Sequence, residues 1–417
     1  MHHPTIIRQH SLTVCLLLAA TLLLAACGSG NKRHRTIDPN VVGFTADYNP
    51  MFDNQLYPSF IMGLNTYNGS DDLALFTVSV TSPSNNAVLR VVVDSSSLNY
   101  VTILQETLPK KGERYTFKPN IKWKYDKLYA TRQSGVIDLT FTCFVNDEEV
   151  DIKNLRLHYR SVNECPLSLR DTANRPQDFR WLFAAYVNED HPYIEKILTE
   201  TLDKQIVTQF SGYQSGAKQV EQQVFAIWYY ALSHGISYSS ISCTSNPSTR
   251  SNVQHIRFFD EVYNTRQANC IDACVFFASI LRKIGLKPVI FVEPCHAYLG
   301  YYTDKNRKNL KLLETTITGW VNIPEMQKSF DATGKITNTQ FDNVSKYLTA
   351  EQQQKYRGTP LNFEALKMDL AKALFEKATT YNADTYNANK AAFSDTTKIT
   401  FQQLDIELLR KMVQPIN

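Results

Sequence analysis

The sequence predicts a multidomain chain: an all-β N-terminal sandwich, then an α+β domain, then helices at the C-terminus. Three observations carry this. Short alternating apolar segments divided by turn clusters fill the chain to about Pro166. From about Asp178 the apolar period lengthens to that of helices. A helix that opens on a cysteine is then followed by two strand-like segments, one carrying a histidine and the other a glutamate.

Residues 1–26 read as a targeting segment. His2, His3, Arg8 and His10 give a mildly basic start, and Leu12 to Ala26 is an apolar run too short to span a bilayer. The run closes Leu24-Ala25-Ala26-Cys27 and continues Gly28-Ser29. This resembles a bacterial lipoprotein signal, which implies cleavage before Cys27, lipidation of Cys27 and a membrane partner reached through its acyl chains. Each buried CH₂ adds about 0.8 kcal/mol, so several chains hold far more firmly than one. The lack of Asp after the cysteine is similar to lipoproteins sent to the outer membrane. Residues 27–40 carry Lys32, Arg33 and Arg35 without an apolar period and read as a solvated tether.

Residues 41–166 read as strands at Leu75 to Val80, Val88 to Val93, Tyr100 to Leu108, Tyr115 to Lys118, Val136 to Val145 and Leu155 to Tyr159. Turn clusters such as Ser82-Pro83-Ser84-Asn85-Asn86 and Pro109-Lys110-Lys111-Gly112 separate them. The spacing suggests an antiparallel sandwich of immunoglobulin-like kind. It holds no catalytic constellation and reads as a spacer or ligand-binding module. Trp123 and Tyr125 read as core or edge packing.

Residues 178–345 form the second predicted domain. Pro192 to Leu202 places Ile194, Ile197, Leu198 and Leu202 on one helical face, and Val220 to Leu232 repeats the pattern. Ser245 to Gln254 reads as a polar loop. Gln267-Ala-Asn-Cys270 then enters an apolar helix that Gly285 ends. A helix N-terminus offers unpaired N–H groups and the positive end of the macrodipole, which favour a thiolate, the nucleophilic form of cysteine. His296 follows in a strand-like segment and Glu314 in a second, with a polar turn between. A hairpin pivoting near Lys305 sets His296 directly across from Glu314, with Cβ atoms roughly 5 Å apart. The order nucleophile, base, orienter suits covalent catalysis. Gln267 is a candidate oxyanion donor beside the backbone N–H of Cys270, or equally a loop residue.

Asn-Cys-Ile-Asp, a helix ending Leu-Arg-Lys-Ile-Gly-Leu, then Cys-His-Ala-Tyr, then Leu-Glu-Thr-Thr together resemble the transglutaminase-like core. The resemblance covers about residues 180 to 320. It implies a papain-like thiol fold and a catalytic triad of Cys270, His296 and Glu314, with Glu314 where that family more often has Asp. Papain-type proteases place the histidine roughly 130 or more residues beyond the cysteine, so the short gap here favours the transglutaminase-like arrangement. The implied activity is thiol acyl transfer on amide bonds, with protease or amidase action favoured over crosslinking, and a peptide, protein or peptidoglycan substrate. The rival expectation is an envelope protein that uses the same fold to bind or to tether, without turnover.

Residues 346–417 read as a helical extension, with Leu366, Leu370 and Leu374 on one helix and Ile406, Leu409 and Met412 on a shorter one. The polar run Thr379 to Lys398 reads as a surface connection. Forty-four Lys and Arg against 40 Asp and Glu leave a mild net charge of +4. No basic stripe with interleaved aromatics points to nucleic acid. No Gly-rich phosphate loop and no His-x-x-x-His pattern occurs, so neither cofactor nor metal is expected. Of the eight cysteines, Cys143 and Cys165 are placed to bridge if close enough. Cys274 reads as a small core residue, and Cys295 either packs or oxidises with Cys270.

Overall fold

The structure, a computed structural model, describes residues 36–64, 73–240, 244–357, 360–395 and 399–417. Cys27, with the signal segment, lies outside the described residues, as does Cys243. No helix among the described residues is long and apolar enough to cross a membrane.

The N-terminal strands are β1 (Thr45–Tyr48), β2 (Gln55–Leu56), β3 (Phe76–Thr81), β4 (Ala87–Val93), β5 (Thr102–Leu108), β6 (Arg114–Phe117), β7 (Gly135–Val145) and β8 (Glu148–Tyr159). They build two sheets, ordered β1-β3-β6 and β2-β8-β7-β4-β5. Alternation decides the inner faces. Phe76, Val78 and Val80 of β3 are buried, as are Leu89, Val91 and Val93 of β4 and Leu139, Phe141 and Cys143 of β7. Across the interior Phe76 meets Phe141, ring centroids 5.8 Å apart. Trp123 packs on Phe76 at 6.3 Å, whereas Tyr125 is exposed.

The remaining strands are β9 (Glu164–Arg170), β10 (Pro176–Asp178), β11 (Ser237–Tyr238), β12 (Thr244–Ser248), β13 (Ser251–His255), β14 (Gln267–Ala268), β15 (Pro288–Glu293), β16 (His296–Tyr302), β17 (Leu310–Leu313) and β18 (Gln402–Asp405). They form the sheets β10-β9-β13-β12 and β17-β16-β15-β18, plus the short parallel pair β11-β14. The Cys270 helix (Cys270–Lys283) is buried on most sides. Its Phe277 lies 6.1 Å from Trp228 of the helix Ala217–Ser233. Phe375 of the helix Phe363–Thr380 closes over Trp228 at 5.8 Å. One continuous apolar core runs from the sandwich into these helices.

Four expectations need correction. Ser245 to Gln254 is not a loop but most of the hairpin β12–β13. Its inward positions include Ser251, so the apolar alternation is faint, and cross-strand hydrogen bonds hold the strands instead. The boundary near Pro166 falls inside β9, which pairs with β10 and β13 rather than with the sandwich sheets. The bridge between Cys143 and Cys165 is not formed: both thiols are free and buried, in different sheets. The C-terminal extension is more than a surface connection. Its run Thr379 to Lys398 contains the helix Ala383–Ser394, β18 adds an edge to β15, and Gln414 and Ile416 donate backbone hydrogen bonds to Gly63 and Ala185, 2.8 Å each.

Candidate active site

Cys270 occupies the first turn of its helix because the loop before it is clamped. Asn269 caps the helix, its side chain accepting from the Asp272 N–H at 2.9 Å, while the Asp272 carboxylate accepts from the Asn269 N–H at 3.0 Å. Asp272 is fully buried and also takes the Arg257 N–H at 2.8 Å and the Arg257 guanidinium at 2.7 Å. Burial pushes its carboxyl upward, against the pull of those bonds. Cys270 itself stays half-buried. The backbone N–H groups of Cys270 and Ile271 have no acceptor among the described residues. They are the donors a helix start leaves open.

His296 begins β16 and Glu314 stands just past the end of β17, as the cap of the 3₁₀ turn Thr315–Trp320. The hairpin register pairs Leu299 with Leu313. Continued by one step, it sets Glu314 beside Tyr298 and diagonal to His296, rather than directly opposite as expected. The turn pivots later than Lys305. A diagonal gap of two residues lies within reach of a long side chain. Glu314 Oε2 accepts from His296 Nε2 at 2.7 Å. The extra methylene of Glu over Asp suits that longer reach.

The carboxylate is 1% exposed and fully engaged. Besides His296, Oε2 accepts from Asn382 Nδ2 at 2.7 Å, and Oε1 accepts from Thr316 N at 3.0 Å and Thr316 Oγ1 at 2.6 Å. Burial opposes ionisation of Glu314, yet the His296 ring and the donors of Thr316 and Asn382 outweigh it and hold the carboxyl below its ordinary value. Burial likewise opposes protonation of His296. Hydrogen bonding to Cys270 and to Glu314, with their charge, reverses that and pushes the imidazole up to about 10. Cys270, His296 and Glu314 therefore meet as one line, with imidazolium between sulfur and carboxylate.

The line opens into a cavity of about 520 Å³, walled in part by Leu167, Phe183, Cys270, Val292, Glu293 and His296. Cys295 also faces it, exposed in the tight turn between β15 and β16 with φ of 62°. Tyr238 flanks the site. Its phenol is pushed up by burial and by Cys270 and Glu314, and its backbone lies so close to Gly319 that a Cβ there would meet Tyr238 N at 2.5 Å.

Gln267 sits on β14 in register with Ser237 and does not line the cavity; the glutamine that does is Gln254 on β13. Cys274, one turn inside the helix, is fully buried, its thiol pushed well up by burial and its sulfur 3.8 Å from Thr315 Oγ1. His191 caps the helix Pro192–Leu202, its Nδ1 accepting from Tyr193 N at 3.2 Å. No group of three or more His, Cys, Asp or Glu among the described residues is placed to hold a metal. Asn382 is the functional residue that sequence reasoning missed: it lies in a polar run with no apolar period to give it a place.

Compared with known proteins, the chain matches no protein-family model and no curated protein.

Proposed function

We propose that this protein is a thiol acyl-transfer enzyme acting on amide bonds, by hydrolysis rather than crosslinking, and that its fold is transglutaminase-like behind an immunoglobulin-like domain. The observation that carries the reading is that His296, hydrogen-bonded to Glu314 and raised in part by the neighbouring Cys270, shares the wall of an open cavity with Cys270. Cys270 Sγ attacks the amide carbonyl, and the backbone N–H groups of Cys270 and Ile271 receive the developing oxyanion. His296 gives its proton to the leaving nitrogen as the C–N bond breaks. Water, which reaches His296 through the open cleft, is deprotonated by that ring and attacks the thioester. Acid and thiol are released, with the proton back on the site. Lipidation at Cys27 and attachment to the outer membrane belong to the same proposal.

The test is timed alkylation with iodoacetamide at mildly acidic pH, read by peptide mass spectrometry. Cys270 is expected to label well ahead of the exposed Cys295 and to lose that lead in a His296→Ala variant. Equal rates in the unaltered protein overturn the reading.

A further inference from the structure

The face of the β9–β13 pair that does not enter the core leads away from Cys270. The register pairs Asn252 with Ser168 and Ser251 with Leu169. Leu169, Ser251 and Val253 point into the core and are buried. The alternate residues Ser168, Arg170 and Asn252 therefore share the opposite face, up to a register shift between Asn252 and Val253. Ser168, Asn252 and Gln254 line the Cys270 cavity. Ser168 and Asn252 also line a second hollow of about 610 Å³, whose walls add Arg170, Ser248 and Arg250. The two hollows thus abut at the Ser168–Asn252 pair and make one trench.

The far end of this trench is cationic, and neither arginine has an ion-pair partner among the described residues. Arg170 and Arg250 are locked side by side: the Arg170 N–H donates to the Arg250 carbonyl and Arg250 Nη2 donates to the Arg170 carbonyl, 2.9 Å each. Among the described residues the Arg170 guanidinium otherwise meets only the Asn174 carbonyl, at 3.1 Å. The acids nearest Arg170 in sequence are already committed, Asp171 to Arg175 at 2.8 Å and Glu164 to Arg160 at 2.7 Å, as is Asp178 to Arg180 at 2.7 Å. At the junction, Asn252 Oδ1 is buried with no hydrogen-bond partner among the described residues. Oxygen and nitrogen of an amide are interchangeable by a flip, so Asn252 offers an unmet polar group to whatever lies in the trench.

We infer that the substrate is a peptide with a carboxylate, from an acidic side chain or a chain terminus, that lies on Arg170 and Arg250 while the scissile amide lies at Cys270. Asn252 would meet the intervening backbone. Two residues of strand separate Ser168 from Arg170, roughly 7 Å at about 3.3 Å per residue. A cavity of about 520 Å³ admits only a few extended residues more, which puts the acid on the order of two to five residues from the scissile bond. The inference rests on the acyl-transfer reading above and adds the substrate's charge.

The test uses chloroacetyl-capped peptide amides in which one Glu, Gln or Lys is stepped from the second to the fifth residue of an alanine chain. Cys270 sulfur displaces chloride, so the labelling rate reports docking without turnover. At the best position Glu is expected to label Cys270 about tenfold faster than Gln, with Lys slowest, as a partly exposed charge-assisted contact supports. The advantage should shrink at high salt. It should vanish in the Arg170→Gln/Arg250→Gln variant, whose rate with plain iodoacetamide should match the unaltered protein. Equal Glu and Gln rates at every position, or an advantage that survives in the variant, overturn this inference while leaving acyl transfer standing. Failure of iodoacetamide itself to label Cys270 overturns both.

Discussion

At one end of the Cys270–His296–Glu314 line the sulfur is half-buried on an open cavity. At the other, the carboxylate is 1% exposed and accepts four hydrogen bonds from His296, Asn382 and Thr316. The reacting end has to admit a substrate, so it is built on a helix terminus with open N–H groups. The anchoring end has to keep one geometry and one charge, so it is sealed by the C-terminal segment, whose Ala378 carbonyl also accepts from the Glu314 N–H at 2.9 Å. A charge held in low dielectric acts more strongly on its neighbour than one in water. The difference between the ends therefore explains why His296, between them, keeps its proton so far above the ordinary imidazole value.

Removing the open end should have the largest effect on activity and the least on folding. Cys270→Ala is expected to lower kcat/KM by at least about 10³-fold, since the nucleophile is lost, while its melting temperature stays close to that of the unaltered protein. Full rescue of a deletion strain by this variant would instead favour a binding role and end the enzymatic reading. Disturbing the sealed end should cost both. Glu314→Gln is expected to lower kcat/KM by about 10²- to 10⁴-fold and, by removing the charge that supports the imidazolium, to draw the alkaline limb of the pH–rate profile down from about 10. An unmoved limb would break the contrast between the two ends.

The same sealed charge sets a stability profile. A folded His296 binds its proton more tightly than an unfolded ring near 6.5. Its contribution to stability is thus complete below about pH 6.5 and is lost as pH rises to about 10. The lowered carboxyl of Glu314 works in the opposite direction: its contribution is present above 4.5 and is lost as pH falls below it. Urea unfolding from neutral pH to pH 10 should show a decline that Glu314→Gln flattens. Equal slopes in both proteins would mean that the ion pair does not couple to folding.

The open end was legible in the sequence and much of the sealed end was not, for a physical reason. Helix entry at Asn269-Cys270 is local chemistry: a capping residue, an acidic partner three residues on and an apolar run. The pairing of His296 with Glu314 is also local, a hairpin, and only its pivot lies later than the spacing suggests. Asn382, by contrast, reaches Glu314 across 68 residues of chain, from a stretch whose polar composition resembles any surface connection. The β12–β13 hairpin escaped for a related reason. An inward residue such as Ser251 is satisfied by a hydrogen bond, here with Ser248 Oγ at 2.9 Å, and alternation of Ser with Asn carries almost no apolar signal. The inner faces of β3, β4 and β7 are mostly Val, Leu and Phe, so those strands are plain in the sequence. What the sequence hides are contacts made by polar side chains between distant segments.

Asn382→Ala separates the two ends most finely. It removes one donor from a buried carboxylate and leaves the imidazole, Thr316 and the nucleophile in place. A hydrogen bond to a charged group contributes about 1.5–3 kcal/mol, and the three remaining donors can take up part of that. The expected loss of stability is about 1–2 kcal/mol by urea titration, with kcat lower by about tenfold and KM nearly unchanged. Asn382→Asp should be worse than Asn382→Ala, because it sets a second carboxylate against Glu314 instead of a donor. If Asn382 only fills space, alanine should lower stability but leave kcat and the alkaline limb untouched, and the aspartate variant, nearly the same size, should be the milder of the two. Opposite rankings of the same two variants thus decide whether the C-terminal segment tunes the triad or merely covers it.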